Sequence, residues 1–221
     1  ACAIAAARSD QSTWYPPMGA TVPIGRLTLV TPTPTPQVAP LWSLLVIDHD
    51  PETRTWLLST PTTSYALRLL AREGRSDEIR HVHWGPRLTL EQVAALPPVA
   101  DGWDHILGEE LTGESGQRVG PPALQVRFGD GAGVPQWRFS GYDADGGHLT
   151  IRLVDDHYPL ELDLHYRVRP DTDVIERWVG LRHLGTEDPV AVLRCDSATW
   201  HLPVRHGYRL SHVAGEWGAE F

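Results

Sequence analysis

The feature that most constrains the fold is a strict alternation of apolar residues with charged residues or histidine over positions 160–168. A second run, over 149–153, alternates apolar residues with polar ones. A β-strand places alternate side chains on opposite faces of a sheet, so each run predicts a strand with one face on a hydrophobic core. The apolar members of the longer run are Leu160, Leu162, Leu164, Tyr166 and Val168.

Turn-forming segments separate these runs from other short apolar stretches. Gly-Asp-Gly at 129–131 and Asp-Gly-Gly at 145–147 are typical of tight turns between strands. One short helix is expected from Leu90 to Leu96, with Thr89 as its N-cap and two prolines after it. Many short strands with at most one or two short helices predict an all-β fold, a large antiparallel β super-sandwich.

Residues 1–50 differ in composition from the rest of the chain. A Thr-Pro repeat at 31–36 favours extended polyproline structure and cannot lie inside a sheet. We therefore expect an irregular Pro-rich extension or linker over 1–50 and one β-sandwich domain over 51–221. Met18 is the sole methionine, which indicates that Ala1 is not a natural start. Cys195 lies in an apolar stretch and is predicted to be a small buried side chain.

Charge and hydropathy exclude some classes of function. The formal net charge of -9 disfavours non-specific binding to nucleic acid, which requires a basic surface. The sequence has no apolar run long enough to span a membrane, and residues 1–7 lack the charged region of a signal peptide. The expectation is a cytoplasmic protein with neither nucleic acid nor membrane as a partner.

Candidate catalytic and metal-binding residues are few. His81 and His83 are spaced to share one strand face, but no third ligand follows at a telling distance, so no metal site is predicted. The acidic pairs at 109–110 and 155–156 are adjacent residues that would point to opposite faces of a strand. We interpret both pairs as solvated turns. No catalytic residue and no cofactor are therefore predicted in this chain.

Two of the nine tryptophans lie beside turns where a ring can be exposed. Trp84 precedes Gly-Pro, and Trp217 closes the segment Gly-Glu-Trp. An exposed indole can stack on a sugar ring, although most tryptophans in a β-sandwich pack in the core or in an interface.

Eight short segments occur in a characteristic order between Trp56 and Phe221. They cover 56–67, 81–85, 122–131, 149–155, 162–166, 173–177, 193–197 and 208–217. No single segment is specific, but in this order they resemble the amino-terminal region of glycoside hydrolase family 36 α-galactosidases. Residues 1–50 lie outside the resemblance.

The resemblance implies a β super-sandwich that packs on a catalytic (β/α)8 barrel, which carries both catalytic aspartates of a retaining double displacement. The parent enzyme would hydrolyse terminal non-reducing α-D-galactose residues from sugars of the melibiose and raffinose type in carbohydrate catabolism. This domain would be non-catalytic and would have its own barrel as partner. Gly215 and Trp217 lie in the segment that leads toward the barrel, so they are candidate docking residues.

In some tetrameric relatives this domain reaches the sugar pocket of a neighbouring subunit through an Asp and an Arg. By its spacing, Asp101 corresponds to the Asp of those relatives, but the next Arg in this sequence is Arg118. Asp101 and Trp84 are therefore the candidate substrate-binding residues, and a homo-oligomer is one expectation. Two alternatives stay open: a free-standing carbohydrate-binding or interaction β-sandwich, and a barrel enzyme acting on another α-glycoside. A carbohydrate-binding module should present an exposed aromatic platform. A domain separated from its enzyme should instead present an apolar patch where the barrel would dock.

Overall fold

The computed structural model describes residues 2–5, 46–71, 73–97, 108–114, 121–186, 189–202 and 207–209. In these residues the chain forms eleven strands and one helix. They are β1 (Cys2–Ala5), β2 (Ile47–Asp50), β3 (Thr55–Ser59), β4 (Thr63–Leu70), β5 (Glu78–Pro86), α1 (Leu90–Ala94), β6 (Leu124–Arg127), β7 (Trp137–Asp145), β8 (His148–Asp155), β9 (Leu160–Arg169), β10 (Val174–His183) and β11 (Ala191–Cys195).

The strands form three antiparallel sheets. The largest has the order β1-β10-β9-β8-β7, the second has the order β2-β3-β4-β5, and the third contains only β11 and β6. Most neighbouring strands are consecutive in sequence and are joined by tight turns. The β7–β8 turn needs a left-handed backbone at both central residues, which Gly146 (φ 53°) and Gly147 (φ 85°) provide. The predicted turn at 145–147 is therefore confirmed.

The hydrophobic core lies between the two larger sheets. The apolar residues of the run over 160–168 are all buried on β9, as the alternation predicts. They pack in one cluster with buried side chains of the second sheet, chiefly Trp56, Leu58, Tyr65 and Leu67. Each fully buried large apolar side chain contributes roughly 1.5–3 kcal/mol to stability. The predicted all-β sandwich is confirmed.

Helix α1 covers the outer face of the second sheet. The Thr89 side chain accepts a hydrogen bond from the backbone N–H of Gln92, whose own side chain accepts from the backbone N–H of Thr89. Val93 is fully buried against Leu57 and Ala66. The predicted helix is confirmed, although it ends at Ala94 rather than Leu96. No helix in the described part of the chain is long and apolar enough to cross a membrane.

Two short strands lie within the predicted extension. β1 pairs with the beginning of β10, and β2 pairs with β3 as an edge of the second sheet. Most of residues 1–50 lies outside the described residues, including the Thr-Pro repeat at 31–36. The division of the chain at residue 50 therefore stays a prediction.

The environment of Cys195 differs from the prediction. Cys195 is exposed, as is every residue of β11. In the described residues β11 pairs only with β6, in a sheet of two strands. The apolar stretch therefore forms an exposed strand that no other described layer covers, and the prediction of a buried thiol is wrong.

Candidate functional site

A buried carboxylate, Glu110, lies at the centre of a polar cluster inside the sandwich. Its Oε1 atom accepts a 2.6 Å hydrogen bond from the hydroxyl of Tyr65. Its Oε2 atom accepts a 2.8 Å hydrogen bond from the hydroxyl of Tyr166 and lies 2.8 Å from Nη1 of Arg177. Both carboxylate oxygens are therefore satisfied, as a buried anion requires.

Three strands position the donors. Tyr65 lies on β4, Tyr166 on β9 and Arg177 on β10, each at a position that faces the core. Glu110 itself belongs to the short segment 108–114, whose backbone joins the edge of β5 through a 2.9 Å hydrogen bond from the Glu110 N–H to the carbonyl of Ile79. The cluster thus links this segment to both large sheets.

Arg177 extends the cluster toward the segment 199–201. Its Nη2 donates to the carbonyl oxygen of Glu110, and Nη1 is 3.4 Å from the carbonyl oxygen of Thr199. The guanidinium lies over the rings of Tyr166 and Trp200, at 5.3 and 5.7 Å from their centroids. One buried cation therefore binds two separate segments of the chain and two aromatic faces.

The charges of the cluster are set by its burial. The pKa of Tyr65 is raised well above its ordinary value, mainly by burial and to a smaller extent by the charge of the Glu110 carboxylate. The pKa of Tyr166 is also raised well above that value, chiefly by burial. Burial alone would lower the pKa of Arg177, but the Glu110 charge opposes burial and the pKa is raised. At neutral pH both phenols are therefore hydrogen-bond donors, and Arg177 is a cation.

His81 borders the cluster as a neutral ring. Its Nδ1 atom lies 3.7 Å from Oε1 of Glu110 and has no hydrogen-bond partner within the described residues. Burial lowers the pKa of His81 to about 4, and the Glu110 charge only partly opposes this shift. At neutral pH the pair is therefore not an ion pair.

The geometry of the cluster gives it a structural role. Glu110 has no exposed surface, so no substrate can reach its carboxylate. A general acid or a nucleophile must lie within hydrogen-bonding reach of the reacting atoms. The interpretation of Glu109 and Glu110 as a solvated turn is wrong, because Glu109 is also buried, at 8% exposure. Tyr65, Tyr166 and Arg177 all direct hydrogen-bond donors to one point in the core, so a buried anion is needed at that point, and Glu110 supplies it.

A cleft of about 230 Å³ lies beside the cluster. Its lining includes Glu78, Glu109, Glu114, Leu111, Gln136 and Trp137. Glu78 accepts a 3.0 Å hydrogen bond from Nε of Arg80, and Glu114 accepts a 2.6 Å bond from the amide of Gln125. These two carboxylates are thus held by neighbours in the same domain. Within the described ranges, no group of three metal-ligating side chains could hold an ion.

The predicted histidine pair does not share one strand face. His81 lies opposite Leu67, whereas His83 lies opposite Ala66, because a β-bulge at Val82 shifts the register. Residues directly opposite each other in a sheet share a face, and Leu67 belongs to the main core while Ala66 contacts the helix side. The bulge therefore directs the two imidazoles to opposite faces.

Of the predicted site residues, the structure describes only Trp84. Its ring is half-buried and packs against Tyr65 and Trp200, with centroids 6.1 and 5.7 Å away. Contact of Trp84 with a sugar stays a prediction. Asp101, Gly215 and Trp217 lie outside the described residues.

The sequence did not lead us to predict the buried pair of Glu110 and Arg177, although one feature of the sequence indicated it. In β10, Arg177 takes the place of an apolar residue in the alternation between Ile175 and Val179. A core-facing arginine requires a buried anion. The identity of that anion could not be predicted, because Glu110 is 67 positions away in sequence.

Comparison with known proteins identifies the family of this domain. The family model described as the glycosyl hydrolase family 36 N-terminal domain matches residues 77–221, more than half of the chain. The chain belongs to this family. The order of short segments from Trp56 onward therefore predicted the family correctly.

Similar full-length proteins are α-galactosidases by name. A probable α-galactosidase G from Aspergillus terreus is 23% identical over 169 residues, which are 67% of this chain and 23% of that protein. The family 36 α-galactosidase AgaB from Geobacillus stearothermophilus is similar in structure, with 22% identity, a TM-score of 0.54 and coverage of 69% of this chain and 24% of that one. The α-galactosidase of Lactobacillus brevis has 19% identity, a TM-score of 0.55 and the same coverage. The structures establish a shared fold. This family 36 domain spans about a quarter of the length of these relatives.

Proposed function

We propose that this chain is the non-catalytic amino-terminal domain of a retaining α-galactosidase. The parent enzyme hydrolyses terminal non-reducing α-D-galactose residues from sugars of the melibiose and raffinose type. The match to a family 36 N-terminal domain and the names of the relatives support this assignment. The coverage of about a quarter of those relatives is consistent with a catalytic part elsewhere in the parent protein.

The observation that carries the non-catalytic role is the sealed environment of Glu110. A retaining glycosidase needs two carboxyl groups about 5–5.5 Å apart on either side of the scissile bond. Glu110 is fully buried, and its carboxylate accepts hydrogen bonds from two tyrosine hydroxyls and forms an ion pair with Arg177. Glu78 and Glu114, which line the cleft, are bound by an arginine and a glutamine of this domain. We infer that the nucleophile and the acid/base belong to the catalytic barrel, as the resemblance to family 36 enzymes implies.

We further propose that the domain docks on its own barrel through Gly215 and Trp217. Asp101 and Trp84 are the residues that would approach the galactoside. If this protein forms a homo-oligomer like the tetrameric relatives, they would do so at the sugar pocket of a neighbouring subunit. Cytoplasmic localisation stays a prediction.

The outer face of the largest sheet argues against a free-standing carbohydrate-binding module. Its tryptophan, Trp178, is stacked on His165, with ring centroids 4.9 Å apart and planes 11° apart. The guanidinium of Arg167 lies 5.2 Å from the centroid of the same ring. Since this ring is engaged by its own neighbours, it does not form the open aromatic platform that sugar stacking needs.

The proposal is tested with the complete protein that contains this domain. We expect the purified protein to release galactose from melibiose and raffinose, and to leave α-glucosides intact. Preferential hydrolysis of another α-glycoside would replace the galactoside assignment. Saturable binding of galactosides by the isolated domain, together with a complete protein that has no hydrolytic activity, would favour the carbohydrate-binding alternative.

A further inference from the structure

The cleft of about 230 Å³ beside the Glu110 cluster is formed by three parts of the chain. Its lining residues come from 74–78, 109–114 and 134–137, together with Leu124. Pockets that hold drug-sized ligands have volumes of roughly 300–1,000 Å³. This cleft is smaller, so it has room for a ligand of about one ring.

One side of the cleft is apolar and is continuous with the core. Leu111 and Leu124 are buried there, and Val134 adds an exposed apolar side chain. A recess of about 20 Å³ shares Leu111 and Trp137 with the cleft, and it is also lined by Leu153, Leu162 and Leu164 of the core. A bound ligand would therefore have an apolar surface to pack against.

Two adjacent residues bring unengaged polar groups to the cleft. Their backbones are fixed, because the Gln136 N–H donates to Asp155 at 2.7 Å and the Trp137 N–H donates to the Ser76 hydroxyl at 2.9 Å. Within the described ranges, neither the Gln136 side-chain amide nor the Trp137 indole N–H has a hydrogen-bond partner. The amide can both donate and accept, and the indole can only donate.

The charges of the lining favour a neutral ligand. Glu78 accepts a 3.0 Å hydrogen bond from Nε of Arg80, and Glu114 lies 3.7 Å from Nη2 of Arg127. These carboxylates would repel an anion, whereas a cation would have to compete with an arginine that is already in place. A wholly apolar ligand would cover the amide of Gln136 without giving it a hydrogen bond, which costs free energy. The lining therefore fits a neutral ligand that carries hydroxyl groups.

We propose that this cleft binds one hexose unit of a neutral saccharide, without acting on it chemically. The Gln136 amide and the Trp137 indole bind its hydroxyl groups, and the apolar side chains of the cleft contact its C–H groups. The class of ligand follows from the cleft alone. That the saccharide is a galactoside rests on the proposed function, because such sugars are the substrates of the parent enzyme.

The test measures hydrogen exchange of the complete protein with an S-linked analogue of melibiose, whose thioglycosidic bond resists hydrolysis. At about ten times the Kd of the analogue, exchange of the amides within 109–113 and 134–137 should slow by about tenfold, if opening of these segments releases the sugar. Gln136→Leu and Trp137→Phe should each remove most of this protection. Trp178→Phe is the matched control, because Trp178 lies on the outer face of the largest sheet, and it should keep the protection.

The contrary outcomes separate this proposal from the proposed function. Hydrolysis of melibiose by the complete protein without protection of the cleft segments would refute the saccharide site and leave the proposed function intact. Protection of these segments in a protein without hydrolytic activity would support the site and refute the proposed function. Protection that persists in both Gln136→Leu and Trp137→Phe would overturn the binding mode. Equal protection by the polyamine spermidine would show that the cleft selects cations, which also overturns the proposal.

Discussion

The Nη1 atom of Arg177 lies 2.8 Å from Oε2 of Glu110, and neither side chain has any exposed surface. The pair joins the core-facing side of β10 to the segment 108–114, which inserts beside β5. Removing two charges from water costs several kcal/mol, and only close geometry with further hydrogen bonds offsets that cost. Tyr65 and Tyr166 supply those further hydrogen bonds.

Glu110→Gln should strongly destabilise the domain. The substitution keeps the size of the side chain but leaves the Arg177 cation buried without a counter-charge, which costs about 3–5 kcal/mol. The free energy of unfolding, measured with denaturant, reports this loss. Asp196→Asn is the matched control, because it removes the partner of Arg194 in an exposed ion pair and should cost about 1 kcal/mol or less. Equal effects of the two substitutions would contradict a buried ion pair.

Tyr65→Phe should destabilise more than Tyr166→Phe. After loss of the Tyr65 hydroxyl, the one described group left near Oε1 of Glu110 is the neutral His81 ring, at 3.7 Å. After loss of the Tyr166 hydroxyl, Oε2 still has Arg177 at 2.8 Å. A hydrogen bond to a charged group contributes roughly 1.5–3 kcal/mol, so the first variant should lie at the upper end of that range. The reverse order of unfolding free energies would mean that the two oxygens are not bonded as described.

Stability should depend on pH through His81. Burial lowers the pKa of His81 from 6.5 to about 4, so between these values the unfolded chain binds a proton that the folded protein excludes. The stabilisation is therefore complete above pH 6.5 and is lost as the pH falls toward 4, by about 3 kcal/mol in total. His81→Asn should flatten the dependence of unfolding free energy on pH in this window. An unchanged slope would show that His81 takes up its proton equally in both states.

The elements predicted well are those encoded by neighbouring residues. The alternation over 160–168 and the capping sequence at Thr89 each specify local backbone geometry, and the structure has the corresponding strand and helix. The β-bulges at Val82 and Leu193 could not be predicted, because each inserted residue is an ordinary strand former. The bulge at Val82 is also the reason why the prediction that His81 and His83 share one strand face was wrong.

Burial of polar residues depends on contacts between distant segments. Glu110 was interpreted as solvated because it is one of two adjacent acidic residues that follow Gly108. Its environment is created by β4, β9 and β10, which approach it only in the folded protein. The exposure of Cys195 has the opposite origin: its apolar stretch forms a strand that, among the described strands, pairs only with β6.

The central claim, that this domain contributes no catalytic group, is tested most directly by turnover of an aryl α-galactoside. The isolated domain should release no aryl alcohol above the uncatalysed rate, whereas the complete protein should be active. Within the complete protein, Glu78→Gln and Glu114→Gln, which alter the carboxylates of the cleft, should leave kcat within about twofold, because a lost acid/base group lowers it by about 10²–10⁴. Turnover by the isolated domain that either substitution abolishes would contradict the account.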